Sequence, residues 1–288
     1  KQTDYTSDLK LNKLYEDSVG LLRTLKRLPA GWEVTELVGD DVTAKMFKKV
    51  DLDDPGIQAL FQRVFDDTKG SIVTRDRVGA MPRSYKVEKI VSVMNAESWG
   101  AYLKRLDSVS DQCRKLPGSA PCSDESWNSR SGPIATQKVA QEILKSALLP
   151  ELSPNANEFL MFHGTKPEAA DLIAQNHFDM AFACKTGLFG AGLYFAESSS
   201  KSDEYVKPDG HDRFPVIMCR VTLGHINYVP NKDPTTDPGR AKLEASCLGG
   251  EYHSVLGDRK KAKGTYREFV VYNHHQVYPH FIVWYRRL

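Results

Sequence analysis

Phe159-Leu160-Met161-Phe162-His163-Gly164-Thr165 is the stretch of this 288-residue sequence that decides the fold. Its apolar residues predict a strand, and the His-Gly pair that ends the strand stands immediately before a predicted helix. A strand end next to a helix start places the side chain of His163 and the backbone amide and carbonyl of Gly164 at a sheet edge, where a ligand can use them. Taken alone, a histidine in this position is more often a structural hydrogen-bonder, so other segments have to decide its role.

A second segment reads Gly187-Leu188-Phe189-Gly190-Ala191-Gly192-Leu193-Tyr194-Phe195-Ala196 and continues to Tyr205. Its glycines precede a predicted strand instead of opening a helix after one, so the dinucleotide-binding reading of a glycine-rich motif fails. We expect a flexible loop over a pocket. Tyr194 and Tyr205 lie eleven residues apart, a spacing that can bring the two rings to opposite walls of one cleft, where each stacked contact with a flat heteroaromatic cation is worth roughly 1–2 kcal/mol.

A third segment, Tyr266-Arg267-Glu268-Phe269-Val270-Val271-Tyr272, places an acidic residue near the start of a strand. As an isolated observation, Glu268 is more often a solvated charge at a strand end. The role of Glu268 therefore depends on whether the fold brings the other two segments close to it.

Strands dominate the second half of the chain, where β-branched and aromatic runs of strand length recur with only short helices between them. The predicted strands are 158–162, 192–196, 214–223, 267–272 and 280–285. Strands clustered in this way indicate an α+β domain with a mainly antiparallel sheet. We assign residues 45–288 to this domain and residues 1–44 to an N-terminal helical extension.

The N-terminal part of the chain predicts three helices and a strand. An amphipathic helix is expected over 14–28, and a second helix begins at Pro55 with Asp54 as its cap. From Tyr85 the apolar and polar residues alternate as in a half-buried strand, which leads into a helix that carries Trp99.

The middle of the chain predicts a loop between helices. Residues 108–135 are rich in Ser, Pro, Gly and Asp and lack periodicity, so we expect a long surface loop or an insertion there. A helical pattern returns over 139–148. Another helix is predicted over 165–176, because Thr165 and Glu168 have the spacing of a capping box.

Composition excludes several classes of protein. The 39 basic and 37 acidic residues give a net charge of +2 and no electrostatic footprint for nucleic acid or an anionic membrane. No apolar run approaches the roughly 20 residues that span a bilayer. The five cysteines contain no CxxC pair and no histidine at zinc-ligand spacing, so a reduced intracellular compartment, nuclear or cytoplasmic, fits best, and Cys219 is expected in the core.

Taken together, the segments resemble the catalytic domain of the poly(ADP-ribose) polymerase family, the diphtheria-toxin-like ADP-ribosyltransferases with a His-Tyr-Glu motif. The resemblance covers roughly residues 45–288. It rests on a His-Gly motif at His163, a Tyr-Phe-Ala…Lys-Ser…Tyr signature over 190–205, and a closing Glu strand with a Gln…Tyr-Pro segment over 266–283. It implies the ADP-ribosyltransferase fold, an α+β domain with a mainly antiparallel split β-sheet and flanking helices.

The resemblance also implies an NAD⁺ site. The catalytic residues would be Glu268, His163 and Tyr194, with Glu268 holding the 2′-hydroxyl of the nicotinamide ribose and stabilising the charge that develops there. His163 would hydrogen-bond the adenosine ribose, Gly164 and Ser202 would bind the nicotinamide carboxamide, and two tyrosine rings would enclose the nicotinamide. The implied NAD⁺-binding residues are His163, Gly164, Thr165, Tyr194, Phe195, Ala196, Ser202 and Tyr205.

The chemistry of the reaction agrees with this assignment. Nicotinamide leaves from a ribosyl carbon with oxocarbenium character, so a preplaced carboxylate stabilises the transition state more than the ground state. Because nicotinamide is already a cationic leaving group, we expect no metal and no cofactor, and NAD⁺ is a consumed substrate. ADP-ribose would go to protein acceptors, the chain itself among the candidates.

Two departures from the family concern chain length and regulation. Residues 1–50 are too short to supply the helical regulatory subdomain of the DNA-damage-activated members, so regulation by DNA breaks through that subdomain is not expected. The loop between His163 and Tyr194 is also short, as in the smaller members, which often transfer a single ADP-ribose. Members restricted to single transfer commonly lack the glutamate that is present here, so we expect polymer formation, with mono-transfer as the alternative. An acceptor pocket would be sought at 251–255 and at the lysine-rich turn 259–261.

Two rival functions remain open. A catalytically silent module that binds NAD⁺ or ADP-ribose would have no need for Glu268. A transferase directed at RNA or DNA is disfavoured by the near-neutral charge.

Overall fold

The computed structural model describes residues 27–29, 47–116, 131–147, 149–231 and 236–288. Within these ranges the strands are β1 Phe47–Asp51, β2 Tyr85–Asn95, β3 Glu158–Gly164, β4 Leu193–Phe195, β5 Phe214–Thr222, β6 Ile226–Val229, β7 Ser254–Gly257, β8 Glu268–Val271 and β9 Val277–Arg287. The α-helices in the same ranges are α1 Pro55–Asp67, α2 Ala96–Arg114, α3 Gln137–Ser146, α4 Pro167–Asn176, α5 Ser199–Ser202, α6 Asp237–Leu248 and α7 Arg259–Lys263. None of these helices is long and apolar enough to cross a membrane.

The strands form two sheets. The larger sheet has the order β1-β2-β9-β5-β3, and every neighbouring pair in it is antiparallel. The smaller sheet has the order β4-β8-β7-β6, in which the pair of β6 and β7 is parallel and the other pairs are antiparallel. The predicted α+β architecture with a mainly antiparallel split sheet is confirmed.

Strand β5 lies at the centre of the core and is buried at every position. Its side chains alternate between two faces, as the period of a strand requires. Val216 and Met218 pack with α1 and α3, whereas Ile217 and Cys219 pack toward the second sheet. A strand covered on both faces must be apolar throughout, which explains why this run predicted a strand from sequence so clearly.

Two helix starts test the capping predictions. The side chain of Asp54 accepts hydrogen bonds from the amides of Gly56 and Ile57, so the predicted cap of α1 is confirmed. The predicted capping box of α4 is wrong, because the helix begins at Pro167 and not at residue 165, and its cap is Lys166 without a side-chain bond. Proline disfavours helical geometry in the residue before it, which moves the helix start beyond the predicted position.

The predicted loop over 108–135 is wrong for its first residues. Helix α2 continues to Arg114, because Val109 and Cys113 extend its buried stripe while the Ser and Asp residues occupy its other faces. Residues 117–130 lie outside the described residues, as does the predicted helix over 14–28 except for its last two positions.

Among the described cysteines, one is disulfide-bonded and three are free thiols. Cys113 is disulfide-bonded, which the spacing of the cysteines did not predict. Among the described cysteines, Cys184, Cys219 and Cys247 are free. Cys219 is completely buried, as predicted for a core residue.

A buried ion pair fixes the start of β3. The Nε atom of Arg220 lies 2.6 Å from Oε1 of Glu158, and both side chains are almost completely buried. The hydroxyl of Tyr102 donates to the same carboxylate at 2.5 Å, and the guanidinium also donates to the carbonyls of Pro150 and Glu151. The pair therefore joins β3 to β5 and attaches both strands to residues 150 and 151, in the segment that precedes β3.

We expect Arg220→Met to lower the free energy of unfolding by about 3–5 kcal/mol, because it leaves the Glu158 carboxylate buried without its cation. Denaturant unfolding followed by circular dichroism would measure this difference. The matched control is Arg63→Met, whose partner Glu142 is exposed and whose loss should change stability by at most about 1 kcal/mol. Equal effects of the two substitutions would contradict the role given to the buried pair.

Candidate active site

A cavity of about 1060 Å³ lies where the two sheets diverge. Its walls are built from the end of β3, from β4, from α5 and from the start of β8. Of the site residues predicted from sequence, those that line it are His163, Gly164, Tyr194, Phe195, Ala196, Ser202, Tyr205 and Glu268. Thr165 is half-buried in the link to α4 and is not among the lining residues.

An isolated backbone bridge between Phe162 and Ala196 joins the two sheets. The amide of Phe162 donates to the carbonyl of Ala196 at 2.8 Å, and the reverse bond measures 2.9 Å. Residues two apart on a strand direct their amide and carbonyl groups to the same side. The amide and carbonyl of Gly164 therefore point in the same direction as those of Phe162. Because Gly164 lies past the bridge, its groups face the cavity.

Gly164 lies directly against α5. A Cβ atom at this position would stand 1.9 Å from the carbonyl oxygen of Ser202. Because that oxygen belongs to the backbone, it could not move aside without shifting the helix. The absence of a side chain thus lets α5 approach β3 and places Ser202 next to the Gly164 backbone.

His163 is held in one orientation by a hydrogen bond to the backbone of Tyr194 in β4. Its Nδ1 atom lies 3.0 Å from the carbonyl oxygen of Tyr194, which can only accept, so Nδ1 carries the proton. Burial lowers the pKa of His163, although the carbonyl of Tyr194 acts in the opposite direction. The ring is therefore neutral at neutral pH, and Nε2 is left as an acceptor for a hydroxyl group.

The predicted loop over the pocket is present between Gly187 and β4. The hydroxyl of Tyr194 accepts from the amide of Phe189 at 2.8 Å and donates to the carbonyl of Gly190 at 2.9 Å. The hydroxyl of Tyr272 donates to the carbonyl of Phe189. Burial raises the pKa of the Tyr194 hydroxyl, which stays protonated and keeps the loop tied to β4.

Glu268 stands at the first position of β8 with its carboxylate in the cavity wall. Its side chain is only 17% exposed, and Oε1 lies 3.7 Å from Nζ of Lys201. A solvated strand-end charge, the alternative considered from sequence, does not fit this burial. Burial raises the pKa of Glu268, and the charges of Lys201 and Arg259 oppose that effect only in part.

Lys201 is a cavity residue that the sequence reasoning left out of the site. Its side chain is 6% exposed, and Nζ contacts the Tyr205 hydroxyl at 2.6 Å and the carboxylates of Glu204 and Asp76 at 2.9 Å and 3.1 Å. Burial by itself lowers the pKa of Lys201, but Tyr205, Glu268 and Glu204 raise it overall, so the ammonium stays charged. The spacing of four residues from Lys201 to Tyr205 is the one signal in the sequence for this contact.

The segment after α1 also reaches the cavity. Thr74, Arg75 and Asp76 line it, although they precede α5 by more than 120 residues. No pattern in the sequence links the two segments, and this part of the site was missed.

The basic turn predicted near an acceptor pocket is helix α7, capped by Asp258, whose carboxylate accepts from the amide of Lys261 at 3.0 Å. Arg259 and Lys263 of this helix line the cavity. The neighbouring segment 251–255 does not line it, and His253 borders a separate cavity of about 270 Å³ instead. Among the described residues, no cluster of three or more His, Cys, Asp or Glu side chains could hold a metal ion.

Comparison with known proteins identifies a family that this chain resembles. The model of the poly(ADP-ribose) polymerase catalytic domain matches residues 134–287. The chain is 28% identical over 194 residues to a poly[ADP-ribose] polymerase tankyrase of Caenorhabditis elegans, which covers 62% of this chain and 8% of that protein. It is 28% identical over 130 residues to the mouse protein mono-ADP-ribosyltransferase PARP12, covering 45% of this chain and 17% of that protein.

A third relative is poly[ADP-ribose] polymerase 2 of Arabidopsis thaliana, 27% identical over 173 residues, with 52% of this chain and 27% of that protein covered. The chain thus spans a minor part of the length of each of these three relatives. The mixed helices and the split, mainly antiparallel sheet are consistent with the ADP-ribosyltransferase fold. The chain belongs to the poly(ADP-ribose) polymerase catalytic domain family.

We expect Gly164→Ala to displace α5 and to lower the free energy of unfolding by about 1–3 kcal/mol, as overpacking of a close contact does. Thermal unfolding would measure the loss, and a crystal structure would show the shift of Ser202. Gly100→Ala is the control, because a Cβ at this helical position meets nothing within 4 Å and should stabilise the chain by roughly 0.5–1 kcal/mol. An unchanged α5 in Gly164→Ala would contradict the close approach.

Proposed function

We propose that this chain binds NAD⁺ in the cavity, releases nicotinamide and transfers ADP-ribose to protein acceptors. The observation that carries the proposal is the position of Glu268, a mostly buried carboxylate in the same cavity wall as His163, Gly164 and Tyr194. A module that only binds its ligand gains nothing from holding a negative charge at this depth.

The binding of NAD⁺ is divided among three groups of atoms. The amide and carbonyl of Gly164, with the hydroxyl of Ser202, bind the carboxamide of the nicotinamide. The rings of Tyr194 and Tyr205 form the walls on either side of it. The free Nε2 of His163 accepts a hydrogen bond from a hydroxyl of the adenosine ribose, and Phe195 and Ala196 complete the pocket.

The chemical step breaks the bond between the ribosyl carbon and the nicotinamide nitrogen. The electron pair leaves with the ring, which becomes neutral, and positive charge develops on the sugar. Glu268 stabilises that charge and holds the 2′-hydroxyl, while the acceptor atom forms the new bond to the ribosyl carbon and releases its proton. The leaving ring needs neither a metal nor a strong general acid, because it is cationic before it departs.

We propose that the catalytic unit extends over residues 45–288, beyond the matched region. Strand β2 pairs with β9 along most of its length, and β1 pairs with β2. The larger sheet would lose its outer strands if the unit began at residue 134. The extension over 1–44 lies mostly outside the described residues.

Polymer formation remains our proposal for the extent of transfer. It is supported by Glu268, which can also activate the hydroxyl of a ribose already attached to the acceptor. The cations of α7 at the cavity suit the pyrophosphate of such a chain. Single transfer is the alternative, and the relatives include proteins named for each activity.

Glu268→Gln tests the reaction itself. We expect the rate of nicotinamide release to fall roughly 100- to 1000-fold, because the amide keeps the shape of the side chain but lacks the charge that stabilises the transition state. Release from labelled NAD⁺ measures the rate, and a ladder or a single band of labelled protein distinguishes poly- from mono-transfer. Glu244→Gln, on α6 behind the glycine-rich loop, is the matched control and should retain activity near the wild type.

Activity should also depend on pH through Glu268. Because burial raises its pKa above the ordinary value of 4.5, the carboxylate is ionised and active at higher pH and is neutralised as the pH falls through the raised pKa. We expect the acid limb of kcat/KM, which reports the pKa of the free protein, to have its midpoint above pH 4.5. A midpoint at or below that value, with the fold intact by circular dichroism, would show that Glu268 does not control the rate.

A further inference from the structure

Residues 69–77 form a strap that runs from the end of α1 across α5. The strap lies outside residues 134–287, the region that the family model matches. It nevertheless reaches the cavity through Thr74, Arg75 and Asp76. This part of the site is therefore a contribution of the chain's own upstream segment.

The first half of the strap is fastened by paired hydrogen bonds. The amide of Gly70 donates to Oγ of Ser200 at 2.9 Å, and that hydroxyl donates back to the Gly70 carbonyl at 3.0 Å. The hydroxyl of Tyr266 accepts from the amide of Ile72 and donates to its carbonyl in the same manner. These bonds attach the strap both to α5 and to the approach to β8.

The second half is fastened by charged groups. The hydroxyl of Thr74 donates to Glu204 at 2.7 Å. The guanidinium of Arg77 donates to Oδ2 of Asp203 at 2.9 Å and to the carbonyl of Ser200 at 2.7 Å, with both charged side chains buried. Asp76 thus lies between two anchored residues, and its position relative to α5 is fixed.

Asp76 uses one carboxylate oxygen for two contacts. Its Oδ2 accepts from the Tyr205 hydroxyl at 2.6 Å and from Nζ of Lys201 at 3.1 Å. Lys201 is also bound by Glu204 at 2.9 Å, whereas its distance to Glu268 is 3.7 Å. The ammonium is therefore hydrogen-bonded to two carboxylates and stands beyond hydrogen-bond distance from the third.

The separation of Lys201 from Glu268 matters because Glu268 is the carboxylate that must act on the substrate. A Glu268 that accepted a full hydrogen bond from Lys201 would have its charge compensated and one lone pair occupied. At 3.7 Å the ammonium still attracts Glu268 but leaves its oxygens available. Tyr205 is held at the same time, because its hydroxyl is bonded by both Asp76 and Lys201.

We propose that Asp76 is a positioning residue: it draws Lys201 away from Glu268, keeps that carboxylate available to the nicotinamide ribose, and fixes the ring of Tyr205 in the wall of the nicotinamide pocket. The inference rests on the proposed transferase function. Asp76 itself does not contact the reacting atoms. It acts on the position of Glu268's neighbour Lys201, to which it is hydrogen-bonded.

Asp76→Asn tests the proposal, because it keeps the size of the side chain and removes the charge that attracts Lys201. Asp76 is 40% exposed, so the substitution should leave the fold intact. We expect kcat to fall roughly tenfold to a hundredfold, as small misplacements of a catalytic group do, with a much smaller change in the KM for NAD⁺. Asp76→Glu should recover part of the loss.

The pH profile separates positioning from a structural role. The charged and titratable groups around Glu268 and Lys201 include Asp76, Tyr194, Glu204, Tyr205 and Arg259. Removing the charge of Asp76 removes its repulsion of Glu268 and frees Lys201 to move closer, and both changes lower the pKa of Glu268. The acid limb of kcat/KM should therefore move to lower pH in Asp76→Asn. Ser200→Ala, which removes the Gly70 bonds of the strap without changing a charge, should leave the limb where it is.

A readout independent of turnover completes the experiment. Titration of the Glu268 carboxyl carbon by NMR, assigned with Glu268→Gln, should give a lower midpoint in Asp76→Asn than in the wild type. Equal midpoints in the two proteins would overturn the inference whether or not the chain is active. A wild-type chain that releases no nicotinamide would instead overturn the proposed function, and the NMR comparison would still decide the role of Asp76.

Discussion

The bridge between Phe162 and Ala196 is the constraint on which the site depends. It brings the edge of the larger sheet to the edge of the smaller one for a single pair of hydrogen bonds. Had the pairing continued, the backbone of Gly164 would be satisfied by β4 and unavailable to a ligand. Because the pairing stops, the sheets diverge there, and the same edge carries His163 and Gly164 into the cavity.

The second constraint is electrostatic. Helix α5 and the turn after it bring Lys201, Asp203 and Glu204 into the interior within four residues, and buried charges are tolerated only when each is paired. Asp203 accepts from Arg77, from the Tyr285 hydroxyl at 2.5 Å and from Arg287 at 2.8 Å. The groups that pair with Asp203 are therefore supplied by segments remote in sequence.

The parts of the fold that the sequence predicted are those governed by local patterns. The continuous apolar run of β5 and the cap at Asp54 follow from the residues themselves, and so do the three segments that meet in the cavity. The misses have physical causes as well: β1 is exposed at four of its five positions and so shows no apolar pattern, and Pro167 moved the start of α4. Asp76 was missed because its contact with Lys201 joins residues 125 positions apart, and no local pattern signals such a pair.

The family match begins at residue 134, yet the structure does not divide there. Strand β2 pairs with β9, which lies between it and β5, so the upstream strands belong to the same sheet as the matched region. The strap then returns from the end of α1 to α5 and supplies Asp76 to the cavity wall. A cut at residue 134 would therefore remove two strands of the larger sheet and the strap that lines the cavity.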